Sequence, residues 1–206
     1  MALATYSDLK TSVANYLARS DLTSQIPDFI QLAEIRLRRD LRIRQMLKVA
    51  TTTTTGGDST VGLPSDFLEL RDIFFVSDPS IVVSYLTPSS FTRNARTTES
   101  GKPVNYTILS GEFQFAPIPD TTYTIQMLYY AAPTFLSDAV SSNVFLVNAP
   151  DALLYGALGE AEPYLMNDAR LQTWNALYQR AITALNTADE QGEFSASPLK
   201  MTLAAR

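Results

Sequence analysis

Residues 26–55, IPDFIQLAEIRLRRDLRIRQMLKVATTTTT, change period partway along, and that change divides the chain. In the first part Ile26, Ile30, Ala33, Leu37 and Leu41 recur every three or four residues, which predicts an α-helix with one buried face. Pro27 disfavours helical dihedrals at Ile26 and suits the first turn of a helix, so the helix starts near it. From about Val49 the β-branched run Thr51–Thr55 reads as strand, closed by the turn pair Gly56-Gly57.

The same stretch concentrates charge. From Arg36 to Lys48, Arg36, Arg38, Arg39, Arg42, Arg44 and Lys48 are six of the sixteen Lys and Arg, and within that span they are set against one acid, Asp40, in a chain of net charge -5. Charge segregated in this way marks a surface that meets nucleic acid, an acidic neighbour or another copy of the chain. Arg38, Arg39 and Arg42 project opposite the apolar stripe, and Leu32 and Ile35 lie among them, so the helix carries apolar surface on its second side. The competing reading is a solvated face supported by Glu34–Arg38 and Asp40–Arg44 pairs at i,i+4.

Upstream, Leu9, Val13, Tyr16 and Leu17 define a first helix, with Thr5 and Asp8 spaced as a capping pair at its start. Downstream, alternating and apolar runs continue to about Leu136 and predict an antiparallel sheet or small sandwich of about six strands. Ser110-Gly111 forms the clearest hairpin, and the SSFTRNARTTESGK stretch reads as a loop with a short helix. Helical periodicity returns at Asn148. Gly156 and Gly159 allow a close helix approach, Pro163 kinks or ends the segment, and Leu171, Trp174, Tyr178, Ala181 and Leu185 line a last long helix.

The expected fold class is therefore α+β: an antiparallel four-helix bundle from residues 1–48 and 148–192, an inserted antiparallel β-sheet or sandwich domain at 49–147, and an extended arm at 193–206. Phe194, Pro198, Leu199, Met201 and Leu203 make that arm too apolar for a solvent tail and favour its docking on a partner.

Composition narrows the chemistry. A chain of 206 residues with 46% hydrophobic content is that of a folded protein, and it has neither Cys nor His. Disulfides, thiolate catalysis, histidine metal ligation and Ser-His or Cys-His nucleophiles are excluded together. Asp66, Glu69 and Asp72 form the densest acidic group, a weak candidate for paired-carboxylate catalysis. Ser7–Lys10 and Ser197–Lys200 match S-x-x-K without the companion motifs of penicillin-recognising enzymes. No apolar run is long enough to span a bilayer, and the first residues have no secretory leader, so neither membrane insertion nor export by a cleaved signal is expected. The expectation is no enzyme, no cofactor and no metal.

Four stretches carry a family resemblance: residues 5–46, TYSDLKTSVANYLARSDLTSQIPDFIQLAEIRLRRDLRIRQM; 63–73, LPSDFLELRDI; 101–131, GKPVNYTILSGEFQFAPIPDTTYTIQMLYYA; and 148–186, NAPDALLYGALGEAEPYLMNDARLQTWNALYQRAITALN. In this order they resemble the head-to-tail adaptor, or head-completion, proteins of short-tailed bacteriophages. The resemblance implies a virion protein made in the host cytoplasm. It implies a twelvefold ring below the portal protein that extends the DNA channel, lets DNA pass without specific binding and docks the tail nozzle and fibres. Leu32, Ile35, Arg36, Arg38, Arg39, Arg42 and Arg44 are then expected at a subunit or portal interface, and Phe194, Pro198, Leu199, Met201 and Leu203 in a portal-binding arm. Charge reversal at Arg38 and Arg39 is expected to stop ring formation with the monomer still folded. The alternatives are another neck or tail-completion protein of the same tube, or a DNA-binding protein using the basic helix 36–48.

Overall fold

The computed structural model describes residues 3–95, 97–166 and 168–194. The chain divides into two compact units: one is drawn from its two ends, up to Met46 and from Pro133 onward, and the other runs from Leu47 to Ala132.

The helical unit begins with α1, Tyr6–Leu17, closed by a reciprocal capping box. The Asp8 amide donates to Thr5 Oγ1 and the Thr5 amide donates to the Asp8 carboxylate. Leu9, Val13 and Leu17 are buried, whereas Tyr16 is exposed and meets Trp174 edge-on, so it lies off the predicted stripe. Next comes α2, Ile26–Asp40, with Pro27 in its first turn. All five residues of its stripe are buried, Leu41 just past the helix end among them.

A short helix, α3, Pro88–Asn94, lies among the strands of the β unit, and after the strands come α4, Val144–Asn148, α5, Pro150–Leu165, and α6, Asp168–Phe194, within the helical unit. Pro163 sits in the last turn of α5, which ends two residues later with Met166 in the left-handed region. α5 is the helix on which α1, α2 and α6 all pack. Its small residues permit this. A Cβ built on Gly156 would lie 3.1 Å from the Ala33 Cβ and 3.5 Å from the Tyr178 ring. Gly156→Val is therefore expected to lower the unfolding free energy of the helical unit by about 1–3 kcal/mol in urea denaturation, the usual cost of overpacking a tight crossing.

The β unit holds eight strands among the described residues rather than six: β1, Leu47–Thr53; β2, Thr60–Gly62; β3, Phe67–Phe75; β4, Asp78–Val82; β5, Ser84–Tyr85; β6, Asn105–Leu109; β7, Glu112–Ala116; and β8, Thr124–Ala131. They form two four-stranded sheets, β1-β8-β3-β4 and β2-β7-β6-β5. Every pairing is antiparallel except β5 with β6, because the chain reaches β6 from β5 through α3 rather than through a hairpin. Ile125, Met127, Tyr129 and Ala131 alternate inward along β8 and join Phe75, Phe113 and Phe115 in one core to which both sheets contribute. The β6–β7 hairpin turns on Ser110 and Gly111, at φ 54° and 81°, the pair of positive values of a type I′ two-residue turn.

Residues 133–147, grouped above with the β domain, lie in the helical unit. The reason is local: the Leu136 amide donates to both carboxylate oxygens of Glu34 at 3.1 Å, and the Asn143 side-chain amide donates to the same carboxylate at 2.6 Å. α6 also runs through Phe194, past residue 193, where the arm was expected to begin.

Candidate assembly surface on the helical unit

The basic run divides according to where its helix stops. α2 ends at Asp40 and Leu41 is extended, at φ -117° and ψ 131°, so Arg42 and Arg44 lie past the helix that carries Arg36, Arg38 and Arg39 and do not continue its faces. The expected i,i+4 pairs change accordingly. Asp40 faces Arg36 at 3.8 Å, and Arg44 turns to α6, where its backbone N–H and its Nε both donate to Asp189 Oδ1 at 3.0 Å.

Most of the run is engaged within its own unit. Arg36 lies 4.0 Å from the Tyr178 ring centroid, donates to Asn175 Oδ1 at 3.0 Å and faces Glu160 at 3.7 Å. Arg38 lies 3.5 Å above the Phe135 ring and donates to the Pro133 carbonyl, and its burial holds the guanidinium pKa below the usual arginine value. Arg42 donates to the carbonyls of Arg38 and Leu41 at 2.7 and 2.8 Å, which ties down the open end of α2. Lys48, past the helix, pairs with Asp66 at 2.6 Å.

What α2 leaves outward is a narrower ridge. Asp28, Leu32, Ile35 and Arg39 step by four, three and four residues along one exposed face, with Leu32 46% and Ile35 36% accessible. The Arg39 Nε makes a long hydrogen bond, 3.4 Å, to the Ile35 carbonyl of its own helix. Beside the ridge, Asp28 and Gln31 border a groove of about 510 Å³ that continues past Phe135 and Asp138.

Thus, of the seven residues expected at an interface, Leu32, Ile35 and Arg39 are presented to solvent together, while Arg36, Arg38, Arg42 and Arg44 face groups of their own unit. Reversing Arg38 would damage the fold itself. In the expected arm, Phe194 is the last residue of α6, and Pro198, Leu199, Met201 and Leu203 lie outside the described residues.

Two residues that hold this surface together were not singled out for it in the sequence. Tyr178, placed on the α6 core stripe, also donates from its hydroxyl to Asp40 at 2.8 Å. Glu34, assigned to a surface pair, is 1% accessible beneath the 133–143 segment. Burial raises the Glu34 pKa above the usual carboxylate range, against the opposing pull of the Leu136 amide, Asn143 and Arg38. A raised carboxyl holds its proton more tightly folded than unfolded, so stability falls as pH rises from the ordinary glutamate value of about 4.5 through the folded pKa. Glu34→Gln is expected to flatten that slope in urea titrations across the window, and an unchanged slope would count against it.

The acidic group Asp66, Glu69 and Asp72 does not gather into a cluster. Asp66 accepts from Lys48 and from the Tyr129 hydroxyl, at 2.8 Å for the latter, which lowers its own pKa. Burial, then Asp66, pushes the Tyr129 hydroxyl up to about 12. Asp72 accepts the amide of Ile73. Among the described residues no three acidic, His or Cys side chains gather where they could hold a metal, and no helix is long and apolar enough to cross a membrane. Lys10 of the first S-x-x-K match is paired with Asp138 at 2.7 Å, which raises its pKa, the opposite of what a lysine base needs.

Two compact units on one chain, one of them presenting a mixed apolar and cationic ridge, suit a protein that joins other proteins. Comparison with protein families gives the particular kind: the SU10 adaptor protein family matches residues 4–202, and the chain belongs to that family of phage adaptors. No curated protein matches it.

Proposed function

We propose that this chain is a structural subunit of the phage head-to-tail junction, without enzymatic activity, that assembles as a ring, twelvefold, against the portal protein and extends the DNA channel toward the tail nozzle and fibres. In this reading α1, α2, α5 and α6 act as a four-helix bundle, the two sheets as an inserted sandwich domain, and the C-terminal arm as the portal contact. The observation that carries the reading is the family match over 4–202, joined to an α2 ridge that the fold leaves uncovered.

A closed ring needs two different surfaces per subunit, and a ridge of Leu32, Ile35 and Arg39 is suited to be one of them. The rival DNA-binding reading loses support, since affinity for phosphate grows with the number of cations offered to it and Arg36, Arg38, Arg42 and Arg44 are held by protein groups. The test is negative-stain imaging of the purified chain with and without its portal, with channel-bearing rings expected on the portal. Monodisperse single subunits under both conditions would reject the reading.

A further inference from the structure

The β unit carries a second exposed apolar surface. Ile125 and Met127 of β8 point into the core, so Gln126 and Leu128 between them point to the opposite face of the sheet. The register extends that face across all four strands. Thr51, Gln126, Phe74 and Val82 are successive cross-strand partners, and Val49, Leu128 and Asp72 form the next row. Val82 is 77% and Val49 59% accessible, whereas Ala50 and Ile81 beside them on the same strands are partly buried against the core.

This face matches the α2 ridge in shape and charge. Four strands at about 4.8 Å spacing make a bed wide enough for a helix about 10 Å across. With α2 laid along the strands, Ile35 fits over the Phe74–Val82 row, Leu32 lies about 4.5 Å before it and Arg39 about 6 Å further along the helix. The two rows of the sheet are about 7 Å apart, so Arg39 reaches Asp72, an exposed carboxylate on the second row.

We propose that the outer face of β1-β8-β3-β4 receives the α2 ridge of a second copy of this chain, with Arg39 of one copy paired to Asp72 of the next. Helix on one side and sheet on the other make the contact heterologous, the kind that propagates around a ring. This rests on the ring reading above and names its two contacting surfaces.

The chain has no cysteine, so single cysteines can be placed without interference. Ile35→Cys chains and Val82→Cys chains, mixed and assembled on the portal, are expected to form covalent dimers with a short bismaleimide, while either chain alone forms none. Dimers from either chain alone would overturn the pairing in favour of a symmetric contact. Rings that form but do not cross-link in the mixture would assign the sheet face to another protein and leave the ring reading standing. Absence of rings from the unaltered chain would remove both. Independently, Arg39→Asp and Asp72→Arg should each abolish rings and their combination restore them; rings unaffected by the single reversals would overturn the pairing.

Discussion

Tyr178→Ala is expected to lower the unfolding free energy of the helical unit by about 3–5 kcal/mol, in the range for deleting a fully buried aromatic side chain. The ring is wholly inaccessible, with the Gly156 backbone close to one edge and the Arg36 guanidinium 4.0 Å from its centroid. Truncation opens a cavity that rigid helix backbones cannot close, and Arg36 loses the surface that orients it toward Asn175 and Glu160. Tyr178→Phe separates the two contributions. It keeps the ring and removes only the hydroxyl donated to Asp40, a hydrogen bond to a charged group that contributes about 1.5–3 kcal/mol. Trp174, the one tryptophan, stacks on Tyr155 and lies in the same helix, so its fluorescence in urea reads both variants. Equal losses for Ala and Phe would mean that the hydroxyl, not the ring, holds the crossing together.

This crossing also marks where sequence reading stopped short. Tyr178 was legible as a core residue because its neighbours Trp174 and Ala181 repeat at helical spacing, and the stripe of α2 was legible for the same reason. The capping box at Thr5 and the hairpin at Ser110-Gly111 were legible because their signals are local in the chain. The fate of the arginines was not, because it depends on partners far away: Arg36 meets Asn175 at a separation of 139 residues, and Arg44 meets Asp189 at 145. A periodic pattern shows that an arginine lies off the core stripe of its own helix. It cannot show that another helix or a returning segment covers that side. Glu34 was misplaced for this reason, since the chain that buries it comes back 102 residues later at Leu136. The boundary at Pro133 was hidden in the same way, because the segment after β8 has no period and is held by hydrogen bonds rather than by an apolar stripe. Leu32 and Ile35 were read correctly as apolar residues on the second side of α2, where they are exposed among the described residues.

Arg38→Glu is expected to destabilise the helical unit by about 3–5 kcal/mol, the cost of breaking a buried charged arrangement by altering one partner. Arg38 holds the returning segment twice, through the Pro133 carbonyl and the Phe135 ring, while Glu34 one turn earlier holds Leu136 and Asn143. A carboxylate at 38 would lose both contacts and place a second negative charge near one that is already desolvated, where repulsion is poorly screened. The segment 133–143 should then detach before the helices separate, so chymotrypsin should cut at Phe135 or Leu136 at least tenfold faster than in the unaltered protein. Arg38→Lys keeps the charge but not the planar stack, and is expected to give an intermediate loss of about 1–2 kcal/mol. Arg39→Glu, one residue away on the same helix, is the control: an exposed position should change stability by no more than about 0.5 kcal/mol. The contrast decides which arginines serve the fold and which remain available to a partner. A variant at 38 as stable and as protease-resistant as one at 39 would place both in the second group and remove the structural role assigned to Arg38.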